Sequence, residues 1–206
     1  MSRDAGVLDR TIPFYNLILR CDRWERKTPV LPEGVRLRGW RPGDEAAWAA
    51  LEHEIGDFGS PEEARAYFVR TYCGQPDAPA RRCLFAEDEE GRVLGTCTAW
   101  RDPRGEEEIA SLHWLAVSPG AQGRGLGKAL CRAALEVFRD LGEFPVYIHT
   151  QPWSWKALLL YVREGFRLQR SDCFAAYENQ YVQGMETLRT VVTPAQYGEL
   201  LRCSQD

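Results

Sequence analysis

Three glycines fall within five residues in the segment AQGRGLGKAL, at Gly123, Gly125 and Gly127, between an apolar run that reads as a strand and an amphipathic pattern that reads as a helix. Glycine lets backbone N–H groups approach an anion closely, and a helix N-terminus adds a favourable dipole, so this spacing suits a phosphate cradle. Arg124 and Lys128 stand beside it as candidate counter-charges. A lysine in a first helical turn is disfavoured by the dipole, which makes Lys128 more telling than an ordinary surface charge. A Walker A loop would need Gly at 122 and Ser or Thr at 129, but Gln122 and Ala129 occupy those positions. A dinucleotide fingerprint would need a βαβ context that the consecutive strands upstream do not supply.

Proton-transfer candidates lie just before the loop. Strand periodicity puts Glu107, Ile109, Ser111 and His113 of EEIASLHWLAV on one face. An imidazole with an ordinary pKa of about 6.5 exchanges protons near neutrality. Glu107 and Glu108 read as solvated charges at a strand start, and His53 as a structural or exposed side chain. Downstream, HTQPWSW concentrates His149, Thr150, Gln151, Trp153 and Trp155 between a strand and a helix. Aromatic walls there could hold an ammonium by cation–π attraction of about 0.5–2 kcal/mol, or serve as core.

The elements that position these residues follow from pattern. Residues 35–40 alternate as a strand, and Ala47, Trp48, Leu51 and Ile55 recur at helical spacing. Ser60, Pro61 and Glu63 form a helix start with a capping box, and that helix should run to about Tyr72. RRCLFAEDEEGRVLGTCTAW reads as a hairpin, and after a polar turn at 102–105 a third strand leads to the glycine loop. Leu126, Ala129, Leu130, Ala133, Ala134, Val137 and Phe138 share a helix face. PVYIHT is then a strand, SWKALLLYVREG a helix, and FRLQRSDCFAAYENQYVQGMETL a closing antiparallel pair; Thr193 to Gln196 caps a last helix. The order implies a mixed sheet packed by helices.

The loop resembles the acetyl-CoA pyrophosphate loop of the GNAT superfamily of N-acetyltransferases, whose pattern of Gln or Arg, two residues, Gly, one residue, Gly or Ala is filled by Gln122, Gly125 and Gly127. Ser154, Ala157, Leu160, Tyr161, Gly165 and Phe166 resemble that family's second motif, with Ser in place of Asn. The likeness covers roughly residues 35–188. It implies an α/β fold of the α+β type, with a mixed, mostly antiparallel central sheet flanked by helices and splayed at the cofactor-binding strand. It implies acetyl-CoA as acyl donor, held by Leu115, Ala116 and Val117 through backbone groups, by Gln122, Gly123, Arg124, Gly125, Leu126, Gly127 and Lys128, and by Ser154. It assigns Tyr161 as the general acid that protonates the departing thiolate. His113 matches a position where some members carry a histidine base, whereas Ser111 stands where others have Glu.

Composition bounds the rest. The 206 residues carry a formal net charge of −4, without the basic footprint of a nucleic-acid binder. Neither a signal peptide nor a membrane-length apolar run is visible, so the expected location is cytoplasmic. The seven cysteines lack metal-ligand spacing, so no metal is expected; they read as reduced, with Cys83, Cys97 and Cys131 in core positions. Residues 1–34, closed by a Pro/Gly cluster at 29–34, read as an extension carrying an added strand or a lid at 12–19, and residues 35–206 as the acetyltransferase domain. The expected acceptor is a small-molecule amine. A protein or peptide amine and a silent acyl-CoA-binding module are the alternatives, and a homodimer and a longer acyl donor stay open.

Overall fold

The computed structural model describes residues 7–74 and 78–206; residues 1–6, the start of the N-terminal stretch, lie outside the described residues. Eight strands form one mixed sheet in the order β2-β3-β4-β5-β6-β1-β7-β8. They are β1 (Leu17–Cys21), β2 (Arg36–Gly39), β3 (Cys83–Glu87), β4 (Val93–Arg104), β5 (Glu107–Val117), β6 (Val146–Thr150), β7 (Arg167–Gln169) and β8 (Ser204–Gln205). The chain divides into two compact units, and β4 and β5 contribute residues to both.

The first unit holds Lys27–Ala99 and His113–Val137. In it β2, β3 and β4 make an antiparallel ladder, Leu37 opposite Ala86 and Phe85 opposite Thr96. Two helices, α1 (Asp44–Glu54) and α2 (Pro61–Tyr72), pack on each other. Helix α2 starts where the cap residues demand: the Ser60 hydroxyl accepts the Glu63 N–H, with Pro61 at the first helical position. The returning arm of the box reaches one residue further than expected, since the Glu63 carboxylate accepts from the Gly59 N–H. Ala64, Phe68 and Tyr72 recur every fourth residue and are fully buried. A short helix α3 (Ala78–Arg82) takes the two arginines that read as the start of a strand. Helix α4 (Leu126–Leu141) begins in this unit.

The second unit holds Asp9–Arg26, Trp100–Leu112 and Phe138–Asp206. Strand β1 lies between β6 and β7, antiparallel to both. Leu17, Ile18 and Leu19 are wholly buried, the continuous apolar run required of a strand covered on both faces. Among the described residues the parallel register of β5 with β6 consists of Ser111 opposite Tyr147. Helices α5 (Trp155–Arg163), α6 (Tyr181–Val191) and α7 (Pro194–Arg202) complete this unit, and α7 carries both arms of its Thr193 capping box.

Two expectations are corrected here. The closing antiparallel pair is not formed: only Arg167–Gln169 is a strand, Phe174 and Tyr177 make an isolated bridge, and the following residues are α6. The run from Tyr181 packs Gly184, Met185 and Leu188 at helical spacing, with Gly184 so close to Leu17 that a β-carbon would lie 2.6 Å from it. The turn read at 102–105 is shorter than expected, because β4 continues to Arg104.

Candidate active site

At the end of β5 the chain turns through a single 3₁₀ turn (Pro119–Ala121) into α4. The Ser118 N–H bonds the Leu94 carbonyl at 2.9 Å, and the Gln122 amide donates to the Val117 carbonyl at 3.0 Å. Gln122 thereby ties the loop back to its own strand. Gly123 and Gly125 take φ values of 77° and 87°, left-handed backbone that disfavours side chains, and each faces open space. The first bond of α4 runs from the Ala129 N–H to the Gly125 carbonyl, so the N–H groups of Leu126, Gly127 and Lys128 have no acceptor within the helix. Gly123, Arg124, Gly125 and Lys128 are exposed. Unsatisfied donors at a helix start with two flanking cations fit a polyanionic group such as a pyrophosphate.

Strand β5 is irregular just before this loop. Trp114 has φ 47°, a left-handed conformation inside a strand that costs about 1–3 kcal/mol for a bulky residue and interrupts the alternation of faces. Its indole N–H donates to the Tyr67 hydroxyl at 3.1 Å. The ring sits 5.0 Å from Phe58 and 5.4 Å from Tyr67, within an aromatic layer that includes Trp48 and Phe68. The neighbouring His113 places Nδ1 3.0 Å from the hydroxyl of Tyr72. Burial pushes the Tyr72 phenol well above the usual tyrosine range, so it stays protonated. Leu115 and Val117 are half-buried, and Ala116 is buried against Leu51 of α1 and Ile55 just beyond its end. On β4, Gly95 meets this strand at close quarters: a β-carbon there would lie 2.8 Å from the Ala116 carbonyl oxygen and 2.9 Å from Leu130.

Glu52 of α1 is wholly buried, and neither carboxyl oxygen has a hydrogen-bond partner of ordinary geometry among the described residues. Desolvation, and then the charge of Asp57, raise its pKa well above the carboxylate range, against a weaker opposing pull from the Thr96 hydroxyl. Cys83 and Cys97 are buried, and burial pushes the Cys83 thiol up to about 12. Both are core residues and poor nucleophiles.

In the second unit Tyr161 lies on α5, buried, with its ring edge-on to Phe166 at 6.0 Å. Its carbonyl accepts the Phe166 N–H across Gly165, whose φ of 108° allows the tight exit from the helix. The Ser154 hydroxyl receives the Gln151 amide at 2.8 Å. His149 stacks on Tyr177 at 3.6 Å with its Nε2 2.8 Å from the Asn16 side-chain oxygen. Trp153 contacts Phe14, and the Arg10 guanidinium lies 4.3 Å over its ring. Ser111, buried, donates to the Asp102 carboxylate at 2.6 Å.

The acetyltransferase (GNAT) family model matches residues 46–166. The chain belongs to the GNAT acetyltransferase family. It is 36% identical over 142 residues to a mycothiol acetyltransferase of Salinispora tropica, covering 67% of this chain and 46% of that protein. A mycothiol acetyltransferase of Saccharomonospora viridis is 34% identical over 164 residues, covering 76% and 51%. The chain thus spans about half the length of the curated relatives it matches. Its fold is similar to a GCN5-related N-acetyltransferase from Sphaerobacter thermophilus (TM-score 0.57, 21% identity, 77% of this chain and 51% of that one). It is also similar to glucosamine-6-phosphate N-acetyltransferase from Arabidopsis thaliana (TM-score 0.53, 16% identity, 70% and 99%).

Within this GNAT chain the structure groups His113, the Leu115, Ala116 and Val117 backbone and the loop from Gln122 to Lys128 in the first unit. Tyr161 and Ser154 belong to the second. The sequence reading missed Tyr67, Tyr72, Trp114, Gly95, Glu52 and Asp102. Tyr72 was read only as the end of α2, and Asp102 was absorbed into a turn. Only Glu52 left a signal, a charge four residues after Trp48 on the apolar face of α1.

Proposed function

We propose that this chain transfers the acetyl group of acetyl-CoA to a primary amine of a small molecule. The observation that carries the reading is the loop at the start of α4, with two left-handed glycines and N–H groups that the helix leaves without acceptors. Bound acetyl-CoA supplies a thioester whose C–S bond breaks as the new C–N bond forms. Gln122 holds the loop against β5, the donors of Gly123 to Lys128 take the pyrophosphate, Arg124 and Lys128 offset its charge, and Ser154 contributes to the same ligand. Backbone N–H groups in the stretch from Leu115 to Val117 polarise the thioester carbonyl. His113 takes the amine proton, and Tyr161 donates a proton to the departing sulfur. The names of the relatives, mycothiol acetyltransferases, support a small-molecule acceptor.

A thiol-release screen with acetyl-CoA across amines, amino acids, aminoglycosides and peptides tests this reading. Release with a small amine is expected; release with peptides alone would overturn the choice of acceptor, and CoA binding without any turnover would overturn the activity.

A further inference from the structure

A cavity of about 390 Å³ opens in the second unit between the ends of β4 and β5 that meet at their turn and the segment that leads into β6. Pockets of this size take compact small molecules. Its charged lining is Arg101 and Arg104 of β4, Glu108 of β5 and Glu143 before β6, none of them assigned above to acetyl-CoA or to proton transfer. We infer that the cavity binds a small aminocarboxylic acid: Glu108 pairs with the ligand's ammonium, Arg104 pairs with its carboxylate, and the hydrocarbon part rests on Ile109, Ala110, Phe144 and Pro145.

The four charges are not equally engaged. Arg101 and Glu143 form a close ion pair, with the Glu143 side chain largely covered, and they neutralise one another. Glu108 reaches Arg101 only at 3.8 Å, and its side chain is 60% exposed. Arg104, half-exposed, donates to the Tyr147 hydroxyl at 3.4 Å and to the Asp172 carboxylate at 3.5 Å, both longer than the usual N–H···O bond of about 2.7–3.2 Å. Asp172 also accepts the Tyr147 hydroxyl at 2.9 Å and lies 3.7 Å from Arg20, so it keeps two partners when Arg104 turns to a ligand. One carboxylate and one guanidinium of the same cavity are thus weakly committed, and exposed contacts of this kind contribute little to stability that a ligand would have to replace.

The balance of charge decides the class of ligand. Two cations and two anions leave the lining neutral, so a simple anion meets the repulsion of Glu108 and Glu143, and a simple cation that of Arg101 and Arg104. A zwitterion satisfies both signs, with charge-assisted bonds at each end. Ile109, Phe144 and Pro145 are half-buried and Ala110 is buried, which gives the hydrocarbon an apolar surface on which to shed water.

Titration of the native chain, followed by backbone amide shifts, tests this without any acyl donor. The probes are L-phenylalanine, with both charges on one carbon, and 5-aminopentanoate, with an alkyl chain between them. 3-Phenylpropionate and pentanoate lack the ammonium, and phenethylamine and pentylamine lack the carboxylate. At least one zwitterion is expected to bind at least about 10-fold more tightly than both of its singly charged counterparts, with the largest shifts at Ile109, Ala110 and Phe144; the better probe gives the spacing of the charges. Arg104→Gln and Glu108→Gln should each weaken that zwitterion about 10-fold, the loss of one charge-assisted bond, and leave CoA binding unchanged. Equal affinity for zwitterions and singly charged counterparts, shifts centred elsewhere, no binding at millimolar zwitterion, or wild-type affinity in either variant overturns the inference. Should a variant fail to fold, the comparison of ligands on the native chain decides. Because the readout is binding alone, absence of acetyl transfer would count against the proposed function and leave this result standing.

Discussion

Gly123 and Gly125 present backbone to open space at left-handed angles, whereas His113, on the strand that leads into their loop, is tied by Nδ1 to a phenol that solvent does not reach. The loop needs no particular side chain at its glycines, only the absence of one, and its donors are set by where α4 begins. The aromatic layer is the reverse case. Its geometry depends on side chains from α1, α2 and β5 meeting in three dimensions, and on one strained residue, Trp114. A function built from backbone is written in a few consecutive residues, while one built from converging side chains is spread over the chain.

The largest effect should come from the chemistry assigned to Tyr161. Tyr161→Phe keeps the ring against Phe166 and removes only the hydroxyl, so kcat is expected to fall about 10²–10⁴-fold while binding of CoA is retained. A kcat that stays at the wild-type value across the pH range would remove the general-acid role.

Gly95→Ala probes the approach of β4 to Ala116, where a β-carbon has no room. A loss of about 1–3 kcal/mol is expected in denaturant unfolding, because the contacts at 2.8 and 2.9 Å require both the strand and Leu130 to shift. An unchanged midpoint would mean that β5 is not held there.

Glu52 gives the smallest effect and a distinctive pH dependence. Its folded-state pKa is raised by burial, so the folded protein binds the proton more tightly than the unfolded chain does. The stability this provides is complete below the ordinary carboxylate range and is lost as pH rises through the folded pKa. Glu52→Gln should therefore flatten the decline in unfolding free energy above about pH 4.5, the ordinary value for the group. Parallel slopes for the two proteins would show that Glu52 is paired or hydrated when folded.

How far the sequence could be read follows from the same contrast. The α2 start was legible because Ser60, Pro61 and Glu63 act within one turn, and the tight loop before α4 because its glycines mark the left-handed positions. Strand β1, in contrast, owes its place between β6 and β7 to partners more than 120 residues away, such as His149 opposite Ile18, so no local pattern could set its neighbours. The segment after Gln169 was read as a strand pair, yet Tyr181, Gly184, Met185 and Leu188 recur at helical spacing, and Gly184 must pass close to Leu17, a condition met by the face of a helix. Tyr72 was legible as the end of α2 and illegible as a partner of His113, since its hydroxyl finds that histidine 41 residues along the chain.

The central claim, that the start of α4 holds acetyl-CoA through its backbone, is tested most directly by calorimetric titration of CoA into the native chain and into Gly125→Val. The native chain is expected to bind one equivalent. The variant, which puts a β-branched residue at φ 87° and fills the open side of the loop, is expected to bind at least about 100-fold more weakly, a loss of about 2.7 kcal/mol, while keeping its far-ultraviolet spectrum. Equal affinity in a folded variant, or no binding by the native chain at millimolar CoA, would contradict the claim.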